Sequence, residues 1–307
     1  MIERESENSI RGKVIKDMLD HFTHDLSIGK KVQTGEARKI IPEPPYKAPS
    51  GYNMTYIDRP NYRMAFMSRG VNPNIKGAVL QLHGGGYVGR IRNKYYTFAK
   101  YYVDMTDGYC VLTPDYRVAP ENVYPAALLD AYDSYMWLLE HGFSAQNIIL
   151  AGDSAGGGLC MSLYMYLRDH KIELPKAIIA MSPWTDLSAS GRSYEENYTK
   201  DVLFGNTKES MIYNNPYPGS SDIHNPYISP LFGSFKEFPP MLIQVGSQEM
   251  LLSDSTSVAE KARFMGVDAH LTVYEGMFHV FQMCYHMIPE SKMAWDEVHK
   301  FILKINK

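Results

Sequence analysis

The sequence predicts an α/β fold, a mostly parallel central sheet with helices on both faces. Three observations predict it. From Lys76 to the C-terminus, short apolar runs alternate with stretches of helical periodicity. One run, Asn147-Ile-Ile-Leu-Ala-Gly-Asp-Ser-Ala-Gly156, passes from strand to tight turn and on into a helix-compatible segment, Leu159 to Arg168. The chain has 307 residues, 45% of them hydrophobic and 21% charged, which is the composition of an ordinary soluble globular protein with a large core.

The elements follow in order. Ile10, Val14, Ile15, Met18, Leu19 and Phe22 recur at helical spacing and predict an amphipathic helix. Ile41-Pro-Glu-Pro-Pro45 breaks regular structure and reads as a connector. Tyr52–Ile57 and Tyr62–Met67 are strand-like runs around Asp58-Arg-Pro-Asn61, a hairpin turn. Strands are then expected at Ala78–Leu82, Tyr109–Thr113, Ile148–Ala151, Ala177–Met181, Met241–Val245 and His270–Tyr274. Helices are expected at about Tyr95–Asp104, Ala126–Glu140, Leu159–Asp169, Thr256–Phe264 and Glu290–Ile305, the last with Trp295, Val298, Phe301, Ile302 and Ile305 in one apolar stripe. The stretch from about 187 to 229, rich in Tyr, Asn, Pro and Ser, breaks the rhythm and is expected to cross the face where ligands bind.

Several function classes are disfavoured. A net charge of −3, from 31 basic and 34 acidic residues with no basic stripe, points away from nucleic acid. Cys110, Cys160 and Cys284 are far apart and lack metal-ligand spacing, so they read as buried thiols in a reducing compartment, with no metal expected. The N-terminus is polar and charged, and no apolar run approaches a membrane span. The expectation is a cytoplasmic protein with no membrane partner.

The chemistry sits in Gly152-Asp-Ser154-Ala-Gly156. A strand enters it and a helix leaves it, the context of a nucleophile elbow, where only near-absent side chains fit two residues either side of the serine. Ser154 then lies near a helix N-terminus, where backbone N–H groups face incoming negative charge. A serine needs a base, and of the ten histidines His279 is best placed, on the loop after the last strand. The acid belongs on the loop after Met241–Val245, where Glu249 and Asp254 compete. Glu249 lies on the loop proper, whereas Asp254 falls where an Asp often only caps a helix. Leu82-His83-Gly84-Gly85-Gly86-Tyr87 follows another strand, and no Gly-Lys-Ser/Thr follows to make it a phosphate loop. Beside an elbow, the N–H groups of Gly85, Gly86 and Ala155 become natural oxyanion donors, with His83 bracing the loop.

These residues resemble a known family. His83-Gly-Gly-Gly86 together with Gly152-Asp-Ser-Ala-Gly156 is similar to the hormone-sensitive-lipase group of α/β-hydrolases, also called bacterial family IV esterases. Asp115-Tyr-Arg-Val-Ala-Pro-Glu121, Tyr124-Pro-Ala-Ala127, Ser182-Pro-Trp-Thr-Asp186, Ser229-Pro-Leu231 and Pro240–Glu249 match in the same order. The resemblance implies an α/β-hydrolase fold with residues 1–45 as an N-terminal helical cap and 46–307 as the catalytic domain, the 187–229 excursion being a further candidate for the cap. It implies a serine carboxylesterase of short-chain esters that needs no cofactor, with Gly85 and Gly86 in the oxyanion hole and pairing of copies through an edge strand. Glu249-Met-Leu251 stands where many members have Asp-Pro-Leu, yet Glu249 and His279 keep the thirty-residue separation of the family's acid and histidine.

Asp115, Arg117 and Glu121 are expected to form a buried polar network, because charge near a sheet must be paired. Tyr87, Asp153 and Trp184 are candidates for the substrate pocket, although Asp153 reads first as positioning the neighbouring loops and Trp184 first as core packing. The same machinery would serve a lactone hydrolase, a carbohydrate deacetylase or an amidase. A non-catalytic small-molecule-binding protein on a hydrolase scaffold, as in the plant gibberellin receptors, is the rival from another class; such receptors lose the catalytic histidine, which is present here.

Overall fold

The computed structural model describes residues 2–5, 9–23, 43–70, 76–106, 108–285 and 287–307. Among them nine strands form one sheet: β1 Ile2–Glu5, β2 Tyr52–Asp58, β3 Arg63–Arg69, β4 Gly77–Leu82, β5 Tyr109–Asp115, β6 Ile148–Asp153, β7 Ala177–Met181, β8 Met241–Gly246 and β9 Ala269–Tyr274. Their order is β1-β9-β8-β7-β6-β4-β5-β3-β2. The β2–β3 hairpin and the β3–β5 pair are antiparallel, and every other pair is parallel. The helices are α1 Ile10–Thr23, α2 Asn93–Met105, α3 Ala126–Glu140, α4 Ala155–Asp169, α5 Ser193–Glu196, α6 Leu252–Phe264 and α7 Pro289–Ile305.

Successive side chains of a strand point to opposite faces, and the core divides accordingly. Ala78, Leu80, Leu82, Ile148 and Leu150 pack with α3, α4 and α6 on one face. Val79, Ile149, Ala151, Ile179 and Leu242 pack with α2 and α7 on the other. Trp295 of α7 is fully buried and meets Phe98, Tyr101 and Tyr102 of α2 edge-on, with ring centroids 5.1–5.3 Å apart. This cluster pins the last helix across the sheet.

The topology also locates a site. β4 lies between β5 and β6, so the chain leaves β4 toward one edge and later builds from β6 toward the other. The loops after β4 and β6 therefore part, leaving a crevice at their carboxyl ends.

Each expected strand and helix has a counterpart, with three differences. Helix α4 starts at Ala155 rather than Leu159, because the glycines that weaken its helical signal are needed for close packing. A Cβ at Gly156 would collide with the Leu82 carbonyl, and one at Gly158 with that of Trp184. Ile2–Glu5, read as part of the helical cap, instead pairs in parallel with β9, Ile2 opposite Leu271. Ile-Glu-Arg-Glu has no strand-like alternation, and its partner lies at the far end of the chain. The polar residues of the third difference do not form one network. Asp115 bonds Arg90, Arg117 bonds Asp130 at 2.7 Å, and Glu121 is exposed. Helix α1 is present, and Ser9 beside it donates to Glu290 of α7. Residues 24–42 of the expected cap, with Ile41 and Pro42 of the connector, His24 and His286, lie outside the described residues.

Trp295→Ala is expected to cost about 3–5 kcal/mol, the usual range for emptying a buried aromatic site. Calorimetry should show Tm falling by roughly 2–4 °C per kcal/mol. Met293→Ala, half-exposed on the same helix, should stay within about 0.5 kcal/mol.

Candidate active site

Ser154 joins β6 to α4 with φ 51° and ψ −124°, a left-handed backbone rarely adopted by a residue with a side chain. The turn is held from three sides. Its N–H donates to the Met181 carbonyl, and its own carbonyl accepts from the Trp184 and Gly158 amides, at 2.9, 2.9 and 3.1 Å. A Cβ at Gly152 would strike the Gly156 carbonyl, which explains the glycines on both sides. Ser154 keeps 6% of its surface exposed, at the positive end of the fifteen-residue helix α4.

Three strands further along, His279 stands on the loop after β9. Its Nδ1 lies 2.8 Å from Glu249 Oε2. A carboxylate can only accept, so Nδ1 carries the proton and Nε2 is left as the acceptor of the neutral ring. Glu249 is fully buried, and its Oε1 accepts from Ser182 Oγ at 2.7 Å and from the Gly246 amide. Ser182 Oγ also accepts from the Val280 amide, so one hydroxyl joins the acid to the histidine loop. Burial pulls the His279 pKa down, but the Glu249 hydrogen bond and the charges of Glu249, Asp201 and Asp153 outweigh it, and the net shift is upward.

The loop after β4 supplies donors. Gly85 and Gly86 both have positive φ, 112° and 61°. Among the described residues, the N–H groups of Gly85, Gly86 and Ala155 have no hydrogen-bond partner. The neighbouring Gly84 amide is anchored, donating to Asp153 Oδ1 at 3.1 Å and to Tyr95 Oη at 2.9 Å, while Tyr95 Oη donates to Asp153 Oδ2. Asp153 thus ties this loop to the turn at Ser154. Burial pushes its pKa up to about 6, against the Tyr95 hydrogen bond and the His279 charge. His83 is buried, stacked on Tyr116 at 4.0 Å with Nδ1 2.7 Å from the Gly84 carbonyl, and braces the loop as expected.

A family model described as alpha/beta hydrolase fold matches residues 79–283. The chain belongs to that family. An acetyl-hydrolase of Streptomyces hygroscopicus is 34% identical over 224 residues, 73% of this chain and 74% of that protein. An esterase of Acinetobacter venetianus is 35% identical over 198 residues, 64% of this chain and 65% of its own, so the match spans just under two thirds of that relative. A crystal structure of an esterase from the bacterial hormone-sensitive lipase family superposes with a TM-score of 0.83 at 29% identity, covering 97% of this chain and 99% of that one. Within the α/β-hydrolases the chain stands in the hormone-sensitive-lipase group, and it is a carboxylic ester hydrolase.

Other candidate residues of this α/β-hydrolase are distributed unequally. Asp254 is as buried as Glu249 but does not meet His279. Its Oδ2 accepts from the Thr185 and Asp186 amides at 2.7 and 2.8 Å, and its Oδ1 from Tyr194 Oη. Burial pushes it up to about 7, against the Thr185 amide bond. Tyr87 and Trp184, both 1% exposed, are packed in the core rather than open to a ligand; Tyr87 stacks on Tyr217 at 3.9 Å.

The excursion does reach the site. Met211 packs against Gly86, and Asn215 donates to the Gly86 carbonyl at 2.8 Å. The Phe204 ring meets His279 edge-on at 4.9 Å. Asp201 Oδ2 accepts from the Met250 amide while its Oδ1 accepts from those of Leu203 and Phe204. Asn197 Nδ2 donates to the Glu249 carbonyl. Reading the sequence missed Ser182, Tyr95, Asn197, Asp201, Phe204 and Met211. Only Ser182 had a usable signal, its place at the end of an expected strand.

Gly156→Ala forces a Cβ onto the Leu82 and His83 carbonyls. A loss of at least about 1–3 kcal/mol, the cost of overpacking, is expected by calorimetry, with lower kcat as the β4 loop is pushed aside. Wild-type values of both would contradict the close β4–β6 approach.

Proposed function

We propose that Ser154, His279 and Glu249 are the catalytic triad of a serine esterase acting on short-chain carboxylic esters. The observation that carries the reading is the buried Glu249–His279 contact, at the same end of the sheet as the strained serine turn and three unpaired amides. His279 Nε2 takes the Ser154 Oγ proton as the oxygen attacks the ester carbonyl. The Gly85, Gly86 and Ala155 amides donate to the oxyanion, whose charge is best stabilised by donors already in place. His279 then gives its proton to the leaving alcohol, and water cleaves the acyl-enzyme by the same steps. Ser182, Asn197 and Asp201 position the acid and the histidine. The named acetyl-hydrolase relative supports a short acyl preference, as does the crowding of Met211 and Phe204 on the loop and the base.

Cytoplasmic residence and pairing of copies through an outer strand belong to the same proposal. Among the described residues no helix is long and apolar enough to cross a membrane. Cys110, Cys160 and Cys284 are free thiols, and β1 and β2 are the outer strands.

The direct test is hydrolysis of p-nitrophenyl esters from acetate to long acyl chains. Ser154→Ala and His279→Ala should each lose about four to six orders of magnitude in kcat with the fold intact. Comparable turnover by Ser154→Ala would refute the nucleophile.

A pH profile tests the electrostatics. The base must be neutral, so kcat/KM should rise through an apparent pKa above the ordinary histidine value of 6.5. Asp201→Asn removes one of the charges holding that pKa up, and its acid limb should move to lower pH; an unmoved limb would remove Asp201 from the set.

A further inference from the structure

A cavity of about 710 Å³ lies against the oxyanion loop, and Gly84, Gly85 and Tyr95 form part of its wall. Ser154 and His279 do not line it. Gly85 is exposed, so an ester with its carbonyl oxygen at that amide has this hollow as adjoining space for one of its arms.

The wall has a definite chemistry. Tyr46, Tyr56 and Tyr96 make an aromatic corner, with centroids 5.1 Å apart for Tyr46–Tyr96 and 6.4 Å for Tyr56–Tyr96. Arg63, Arg90 and Arg92 line the cavity too, and each already has a carboxylate. Arg63 meets Asp58 at 2.6 Å, Arg90 meets Asp115 at 2.9 Å, and Arg92 meets Glu43 at 2.9 Å. An alkyl chain would strip water from these ion pairs and return no hydrogen bonds. An anion would have to approach Glu43 and Asp115, which line the cavity as well. A neutral molecule with many hydroxyls meets neither obstacle. Its hydroxyls donate to the carboxylates and accept from the guanidiniums, while the C–H face of a sugar ring can cover a tyrosine.

We propose that this cavity binds the alcohol part of a neutral, polyhydroxylated ester, so that the enzyme removes short acyl groups from an O-acylated carbohydrate. The proposal rests on the esterase reading of Ser154. The bond from acyl carbon to sugar oxygen breaks as the bond to Ser154 Oγ forms, and the serine proton passes through His279 to the sugar oxygen. Water then cleaves the acyl-serine bond, giving the carboxylic acid and restoring the hydroxyl.

The experiment compares kcat/KM for methyl 6-O-acetylglucoside, methyl 3-O-acetylxyloside, hexyl acetate and p-nitrophenyl acetate, which share one acyl group. The better sugar acetate is expected to exceed hexyl acetate by at least about tenfold, as hydrogen-bonding sites reject partners that leave them unpaired. Tyr96→Ala, and the more exposed Tyr56→Ala should Tyr96→Ala fail to fold, should lower the ratio of the sugar acetate to p-nitrophenyl acetate by about tenfold, mainly through KM. Hexyl acetate turned over as well as both sugar acetates, or an unchanged ratio in a folded variant, overturns the proposal. Turnover of p-nitrophenyl acetate by Ser154→Ala would instead overturn the esterase reading beneath it.

Discussion

One strained turn organises the carboxyl end of the sheet. Ser154 holds a backbone conformation that costs on the order of 1–3 kcal/mol and persists only when its surroundings dictate it. Those surroundings are the Met181 carbonyl, the Trp184 and Gly158 amides, and an approach of β4 to α4 so close that only glycine fits at 156. The same closeness places the Gly84–Gly86 loop beside the serine. Asp153 then ties the two together through the Gly84 amide and Tyr95. The Ser154 turn and the Gly84–Gly86 loop form one mechanical unit, and disturbing either part moves the other.

The other half of the site is governed by burial. A carboxylate taken fully out of water must have its oxygens satisfied, and Glu249 does so with Ser182, the Gly246 amide and His279. Asp254 meets the same demand with the Thr185 and Asp186 amides and Tyr194, so it fastens the start of the excursion to α6. Two equally buried acids thus serve different ends, and the difference lies in what their oxygens face. The excursion adds Asp201 and Phe204 against the acid loop and the histidine. It is part of how His279 is held.

Much of this was legible from the chain. The alternation of apolar runs placed β4 to β9 and the helices between them, since burial on both faces leaves a strong local pattern. The elbow was legible because its steric demand falls on neighbours two residues away. Strand β1 was not, because Ile-Glu-Arg-Glu has no pattern of its own and takes its structure from β9. Core packing is the stronger sequence reading of Trp184 and its burial agrees, whereas Tyr87, a pocket candidate, is buried in the same core.

By itself the sequence determined the fold class, the serine turn and the glycine loop, because these follow from side-chain size and periodicity over a few residues. Only the tertiary structure decided that Glu249 rather than Asp254 meets His279, that Ser182 and Asp201 hold that pair, and that an aromatic cavity adjoins the Gly84–Gly86 loop. Each of these depends on contacts between residues tens of positions apart, and such contacts leave no local mark in a single chain.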